Sequence, residues 1–218
     1  MKRLAGLVLV LVLGLTLSAA VHAGAQLEEP LADKVRSALA ASVADVAPPR
    51  PSFESIEDRL AYLRWLGEMS DRLKKRKAEH LIRVEFLETV WYESKRAGLE
   101  PALVLGLIQV ESGFRKYAIS VAGARGYMQV MPFWVRTIGN GDASALFHLQ
   151  SNLRFGCVIL RHYLDIEKGD LFMALGRYNG SRGRSEYPNA VFANRKHWLY
   201  DDSLPSSAAA LKAPAPGS

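Results

Sequence analysis

The chain has 218 residues, of which 49% are hydrophobic and 23% are charged, with 17 glycines and 10 prolines. This composition excludes a wholly disordered protein and predicts one compact domain with appendages. The single cysteine, Cys157, excludes an internal disulfide framework and any multi-cysteine metal site. The net charge of +6 suits an anionic polymer, such as cell-wall glycan, a phospholipid surface or nucleic acid, and does not choose among them.

The first 23 residues have the pattern of a secretory signal peptide. Lys2 and Arg3 give a basic start, residues 4–17 are an unbroken apolar run, and a small-residue cleavage site ends at Ala23. The run is shorter than the roughly 20 residues that a membrane-spanning helix needs. We therefore expect a cleaved signal and a periplasmic protein, with an uncleaved membrane anchor as the alternative.

Residues 24–51 are rich in Ala, Ser and Pro and are predicted to form a flexible linker with one weak helix around 31–43. Residues 52–98 are interpreted as an N-terminal extension of two helices, because their apolar residues recur at steps of three and four. The positions predicted to be buried are Leu60, Leu63, Leu66, Met69 and Leu73 in the first helix and Leu81, Val84, Leu87, Val90 and Trp91 in the second.

The rest of the chain is also predicted to be helical, since no stretch alternates apolar and polar residues with a period of two. A short helix that begins at Pro101 is apolar almost all round and should be buried. Further helices are predicted from residue 132 and over 146–163, 171–178 and 186–198. Residues 203–218, rich in Ala, Pro and Ser, are predicted to be a disordered tail.

The basic run at residues 74–77 invites a nucleic-acid interpretation, but no recognition motif accompanies it, and a solvated helix end is the simpler reading. The chain carries no phosphate-binding glycine fingerprint, and its histidines lack the spacing of a zinc motif. We therefore expect no nucleic-acid partner, no metal and no cofactor.

Glu111 is a candidate general acid because it ends the apolar helix that begins at Pro101. Burial and the negative end of a helix dipole both disfavour its ionised form. The alternative is a glutamate that reaches solvent or pairs with a neighbour such as Arg115. The glycine-rich stretch 120–132 that follows could approach an N-acetyl sugar closely, although Met128 and Met131 could equally be core residues.

Motifs in order along the chain resemble the catalytic domain of the soluble lytic transglycosylases. They are Glu111-Ser112-Gly113-Phe114, then Gly123-Ala124-Arg125-Gly126 with Met128-Gln129-Val130-Met131-Pro132, then Asn152 with Gly156, and then Tyr178-Asn179-Gly180. The resemblance covers roughly residues 99–198. It implies a mainly α fold of the lysozyme-like superfold with an N-terminal helical extension, and it implies that residues 99–202 form the catalytic domain.

The same resemblance implies site residues. It makes Glu111 the sole catalytic acid and base, and it implies substrate-binding roles for Ser120, Met128, Gln129, Met131, Tyr178, Asn179 and Tyr187. The sequence departs from the family pattern at Tyr127, where leucine is usual, at Arg177, where a small residue is usual, and over residues 181–184.

The implied reaction is non-hydrolytic cleavage of the bond between N-acetylmuramic acid and N-acetylglucosamine in peptidoglycan, which leaves 1,6-anhydromuramoyl ends. Partners would be the glycan strands and, as a further class, envelope secretion or division machinery. One alternative is a hydrolase like the goose-type lysozymes, which would need a second carboxylate. Another is a non-catalytic glycan-binding protein of a cell-envelope assembly.

Three arginines, Arg177, Arg182 and Arg184, surround the Tyr178-Asn179 pair in the part that departs from the family. Guanidinium groups hold carboxylates in bidentate fashion, so these arginines could bind the peptide stems of the substrate. The alternative is that they are solvated loop residues.

Overall fold

The computed structural model describes residues 26–44 and 52–201, and within them the chain is almost entirely helical. The α-helices are α1 Asp33–Ala44, α2 Ile56–Leu73, α3 His80–Arg96, α4 Pro101–Glu111, α5 Pro132–Ile138, α6 Leu149–Ile166, α7 Leu171–Tyr178 and α8 Glu186–Trp198, with a 3₁₀ helix at Ala143–Phe147. Extended pairing in these residues is limited to isolated bridges at Arg125. The predicted mainly α class is confirmed.

The predicted signal peptide, residues 1–23, and the predicted tail, residues 203–218, lie outside the described residues. Within residues 26–44 and 52–201, none of the helices has both the length and the apolar character that crossing a bilayer requires.

Helix α2 buries only part of the predicted face. Met69 and Leu73 are fully buried as predicted, whereas Leu60 and Leu63, also expected in the core, are 47% and 48% exposed. The buried face instead carries Tyr62 and Trp65, whose rings pack against Trp91 of α3 with ring centroids 5.1 and 4.6 Å apart. Large aromatic side chains bury more apolar area than leucines, so the aromatic face decides the orientation of the helix.

Helix α3 joins the extension to the rest of the protein. Leu87 and Val90 are buried as predicted, whereas Leu81 is exposed. Further along the helix, the carboxylate of Glu93 accepts a hydrogen bond from Arg154 of α6, with Oε1 and Nη2 2.8 Å apart and both side chains buried. The extension therefore shares one core with the helices that follow it.

Helix α4 is buried along most of its length, as its apolar sequence predicts. It runs against α8, and the two backbones touch at Gly106, where a Cβ atom would lie 2.7 Å from the backbone nitrogen of Arg195. Only glycine permits so close an approach. This contact fixes the end of α4, and hence Glu111, relative to α8.

The described part of the predicted linker is ordered structure. Its weak helix is present as α1, but α1 packs against α5 and α6, with Leu39 and Val43 against the core. The flexible-linker prediction is therefore wrong for residues 26–44, because the apolar residues spaced along α1 find a partner surface. Residues 24, 25 and 45–51 lie outside the described residues.

Part of the basic run after α2 is packed rather than solvated. The ammonium of Lys77 lies between the rings of Phe86 and Tyr127, 4.8 and 4.6 Å from their centroids, and donates a hydrogen bond of 2.8 Å to the Tyr127 hydroxyl. Burial lowers the pKa of Lys77 to about 8. Tyr127, one of the departures from the family pattern, thus has a partner that leucine could not have.

Candidate active site

The carboxyl group of Glu111 is buried at the end of α4, with the residue 5% exposed. Its Oε1 accepts a hydrogen bond from the Tyr187 hydroxyl at 2.5 Å, and its Oε2 has no hydrogen-bond partner among the described residues. Burial raises the pKa of Glu111 to about 8, and the hydrogen bond from Tyr187 offsets this only in part. Pairing with Arg115 does not occur, since Arg115 donates to the carbonyl of Ser112. Glu111 is thus protonated at neutral pH with one oxygen free to act.

Tyr187 lies in the first turn of α8 and is 1% exposed. Its hydroxyl reaches Glu111 because α8 and α4 are in backbone contact at Gly106. Burial, and then the charge of Glu111, raise the pKa of Tyr187 well above its ordinary value. Tyr187 therefore remains a hydrogen-bond donor at neutral pH.

The Tyr178-Asn179 pair stands at the end of α7. The Tyr178 hydroxyl donates to the Met128 carbonyl at 2.8 Å, which ties α7 to the glycine-rich loop. Burial and the charge of Glu111 raise the pKa of Tyr178 well above its ordinary value. Asn179 donates to the hydroxyl of Ser181 at 3.0 Å, while its buried Oδ1 has no partner in the described part of the chain. Asn179 therefore leaves an unpaired buried acceptor next to Tyr178 in the chain.

Two predicted substrate-binding side chains face inward instead. Met128 is fully buried against Gly156 of α6, where a Cβ atom would lie 2.4 Å from the methionine sulfur. Gln129 adopts a left-handed backbone with φ +49° and donates to the carbonyls of Ala118 and Gly126 at 3.1 and 2.9 Å. These side chains hold the loop in shape, so any contact of this pair with substrate would come from their backbone groups.

Asn152 organises the same loop from α6, a role that the motif alone did not reveal. Its Oδ1 accepts from the Met128 backbone N–H at 2.8 Å, and its Nδ2 donates to the carbonyls of Leu146 and Arg125 at 2.8 and 2.9 Å. The residue is fully buried. The sequence signal that could have identified it is an asparagine on the same helix face as Phe155, Gly156 and Ile159, because buried amides need partners.

The remaining predicted residues lie on the two ends of the loop. Ser120 accepts from the Ala124 backbone N–H at 3.1 Å and so closes the turn between them. Met131 is half-buried just before α5, and its backbone N–H donates to the side chain of Gln26 at 3.2 Å. Sequence reasoning missed Gln26 because it falls in the predicted linker.

The arginines near Tyr178 are held by the protein itself. Glu167 accepts hydrogen bonds from Arg182 at 2.7 Å and from Arg177 at 2.8 Å, and these bonds lower the pKa of Glu167 to about 2. Arg177 also pairs with Glu29 at 2.8 Å. Arg177 and Arg182 are therefore paired within the protein, while Arg184 is exposed. That this cluster binds the peptide stems of the substrate stays a prediction.

Over residues 26–44 and 52–201, no three His, Cys, Asp or Glu side chains come together in a group that could hold a metal ion. The chemistry that this arrangement offers is proton transfer at one buried carboxyl, flanked by two buried tyrosine hydroxyls.

A family model described as Transglycosylase SLT domain matches residues 88–200, which is more than half of the chain. The transglycosylase of Enterobacteria phage PRD1 is 32% identical over 118 residues, or 51% of this chain and 43% of that protein. Membrane-bound lytic murein transglycosylase C of Actinobacillus pleuropneumoniae serotype 5b is 49% identical over 55 residues, or 25% of this chain and 14% of that protein.

Among solved structures, an inactive mutant of lytic transglycosylase Slt from Pseudomonas aeruginosa matches with a TM-score of 0.42 and 22% identity, covering 64% of this chain and 27% of that one. The chain spans less than half the length of each of these relatives. The family match begins at residue 88, inside α3, rather than at the expected boundary of 99.

Proposed function

Because this chain belongs to the transglycosylase SLT domain family, and so to the lytic transglycosylases, we propose that it cleaves peptidoglycan between N-acetylmuramic acid and N-acetylglucosamine without water. The product would carry a 1,6-anhydromuramoyl end. The observation that carries this proposal is the state of Glu111, a buried carboxyl whose pKa is raised to about 8 and whose Oε2 has no partner among the described residues.

In the first step Glu111 acts as general acid. Its proton passes to the glycosidic oxygen as the glycosidic bond breaks. The acetamido carbonyl of the muramoyl unit stabilises the positive charge that develops at the anomeric carbon. A catalytic acid works best when its pKa lies near the working pH, which the raised pKa of Glu111 provides. The Tyr187 hydroxyl donates to Oε1 and so stabilises the carboxylate that this step creates.

In the second step the Glu111 carboxylate acts as general base. It takes the proton of the C6 hydroxyl, whose oxygen attacks the anomeric carbon and closes the anhydro ring. Glu111 returns to its protonated form, so one carboxyl completes the cycle. Substrate assistance removes the need for the second carboxylate that most glycosidases use.

A hydrolase would need a second carboxylate, and most of the acids between residues 113 and 198 already have structural roles. Asp165 pairs with Arg161, Glu167 is held by two arginines, and Asp170 and Asp142 accept backbone N–H groups at the starts of α7 and the 3₁₀ helix. Glu186, in the first turn of α8, is exposed. This supports anhydro formation by a single carboxyl over hydrolysis.

The proposed place of action is the cell envelope, on the periplasmic side, where the substrate is found. Two observations support it: the signal-like sequence of residues 1–23 and relatives named as membrane-bound murein transglycosylases. Envelope secretion or division machinery is the partner class that we propose for such an enzyme.

The test is incubation of the purified protein with peptidoglycan sacculi, followed by mass spectrometry of the released muropeptides. Anhydro ends are expected from the wild type and not from Glu111→Gln. Reducing ends would indicate a hydrolase, and binding to sacculi without released product would indicate a glycan-binding protein.

A further inference from the structure

The segment 26–31, here named the strap, runs from α1 to the loop beside the catalytic acid. Its first residue, Gln26, is 3% exposed, whereas the next four residues are exposed. The side-chain Oε1 of Gln26 accepts a hydrogen bond from the Met131 backbone N–H at 3.2 Å, and its side-chain Nε2 donates to the Gln129 carbonyl at 3.4 Å. The same side chain is hydrogen-bonded to Tyr178, whose pKa is raised by burial and by the charge of Glu111. A side chain of the predicted linker therefore sits within the candidate site.

The chemistry of this contact resembles that of the proposed substrate. A glutamine carboxamide and the acetamido group of an amino sugar are both planar amides that present one carbonyl acceptor and one N–H donor. Gln26 engages one backbone donor and one backbone acceptor of the loop at the same time. An acetamido group seated on that donor and acceptor would need Gln26 to leave.

On the basis of the proposed function, we propose that the strap competes with the glycan for the Met131 backbone N–H and the Gln129 carbonyl, with the Gln26 carboxamide in the place of a substrate acetamido group. The strap is then an autoinhibitory element. Glycan binding displaces the strap. A glycan strand therefore binds only when its interactions with the protein are stronger than those of the strap.

The remaining contacts of the strap are weak, so the strap can detach and rebind. Glu29 pairs with Arg177 at 2.8 Å, but its side chain is 45% exposed, and ion pairs of this kind are weak. The helix that follows the strap, α1, has no buried residue. Elements with few buried contacts open at low free-energy cost, while the rest of the fold stays intact.

The test measures binding of tetra-N-acetylchitotetraose to the full chain in the Glu111→Gln background by calorimetry. Gln26→Ala removes the hydrogen bonds of the Gln26 side chain, so the binding-competent fraction rises and the affinity is expected to increase by about three- to tenfold. Glu29→Gln should give a smaller increase. Glu28→Gln removes an exposed charge one residue away and is the matched control, with unchanged affinity expected. An equal or weaker affinity in Gln26→Ala would overturn the proposal.

Hydrogen exchange measured with the same sugar distinguishes failure of the strap proposal from failure of the proposed function. Slower exchange of the amides of residues 126–131 reports that the glycan is bound at this loop. Faster exchange of the strap amides at the same time is expected if the sugar displaces the strap. Protection of the loop without faster strap exchange contradicts the strap proposal alone, whereas no protection of the loop in any variant contradicts glycan binding and with it the proposed function.

Discussion

The hydroxyl of Tyr187 donates a 2.5 Å hydrogen bond to the buried carboxyl of Glu111, joining residues that lie 76 positions apart in the sequence. The bond opposes the effect of burial, because a donor stabilises the carboxylate while the apolar surroundings favour the neutral acid. The pKa of the proposed catalytic carboxyl is thus raised by burial and lowered in part by a hydrogen bond from another helix.

Replacing Glu111 by Gln should abolish turnover while sparing the fold and glycan binding. The amide keeps the shape of the side chain but can neither give nor take the required proton, and general acid–base catalysis contributes on the order of 10²–10⁴-fold. The measurement is the rate of anhydro-end formation from sacculi, with a sedimentation assay for binding. Activity within a few-fold of wild type would identify a different acid.

The pH dependence of kcat/KM should show a descending limb with its midpoint near 8, the pKa of Glu111, because the free enzyme must carry the proton. Tyr187→Phe removes the bond that lowers this pKa, so the midpoint should move to higher pH. The maximal rate should also fall, because the phenyl ring no longer orients the carboxyl or stabilises its charge. A midpoint that stays in place or moves down would show that Tyr187 does not act on Glu111.

Stability should also depend on Glu111. The folded-state pKa is raised from 4.5 to about 8, so the folded protein holds a proton that the unfolded chain releases between these values. The free energy of unfolding should therefore fall as pH rises from about 5 to 8. Glu111→Gln removes this dependence, so its melting temperature relative to wild type should increase over the same range. The comparison needs melts of both proteins at several pH values, and parallel curves would refute the raised pKa.

Gly106→Ala should destabilise the protein by about 1–3 kcal/mol, as overpacking does. The added methyl group would meet backbone atoms of Arg195 at 2.7 and 2.9 Å, which cannot move without shifting α8 and lengthening the bond between Tyr187 and Glu111. Activity should therefore fall as well. Gly67→Ala in α2 is the matched control, since nothing lies within 4 Å of its new Cβ atom. Equal unfolding midpoints for the two variants would contradict the prediction.

Local sequence patterns predicted the features that depend on residues close together in the chain. The apolar run of α4 predicted a buried helix, and the position of Glu111 at its end predicted a raised pKa; the structure has both. The choice of face in α2 was not predictable, because Leu60 and Tyr62 both recur with helical spacing and only the partner surface decides which is buried.

The contacts that complete the site join residues far apart in the chain. The internal role of the Met128 side chain depends on Gly156 of α6, and the Gln26 contact depends on a segment whose composition indicates a linker. Composition describes how a segment behaves alone, whereas these contacts arise only after the helices have packed.

The buried ion pair between Glu93 and Arg154 bears on how far the catalytic unit can be trimmed. A fragment that began at residue 99 would lose this carboxylate together with all of α3, and the buried side chains Phe86, Leu87 and Val90 would no longer cover the rest of the core. Excision at that point would therefore give an unstable fragment. The smallest autonomous unit has to include α3, a helix whose sequence carries no catalytic motif.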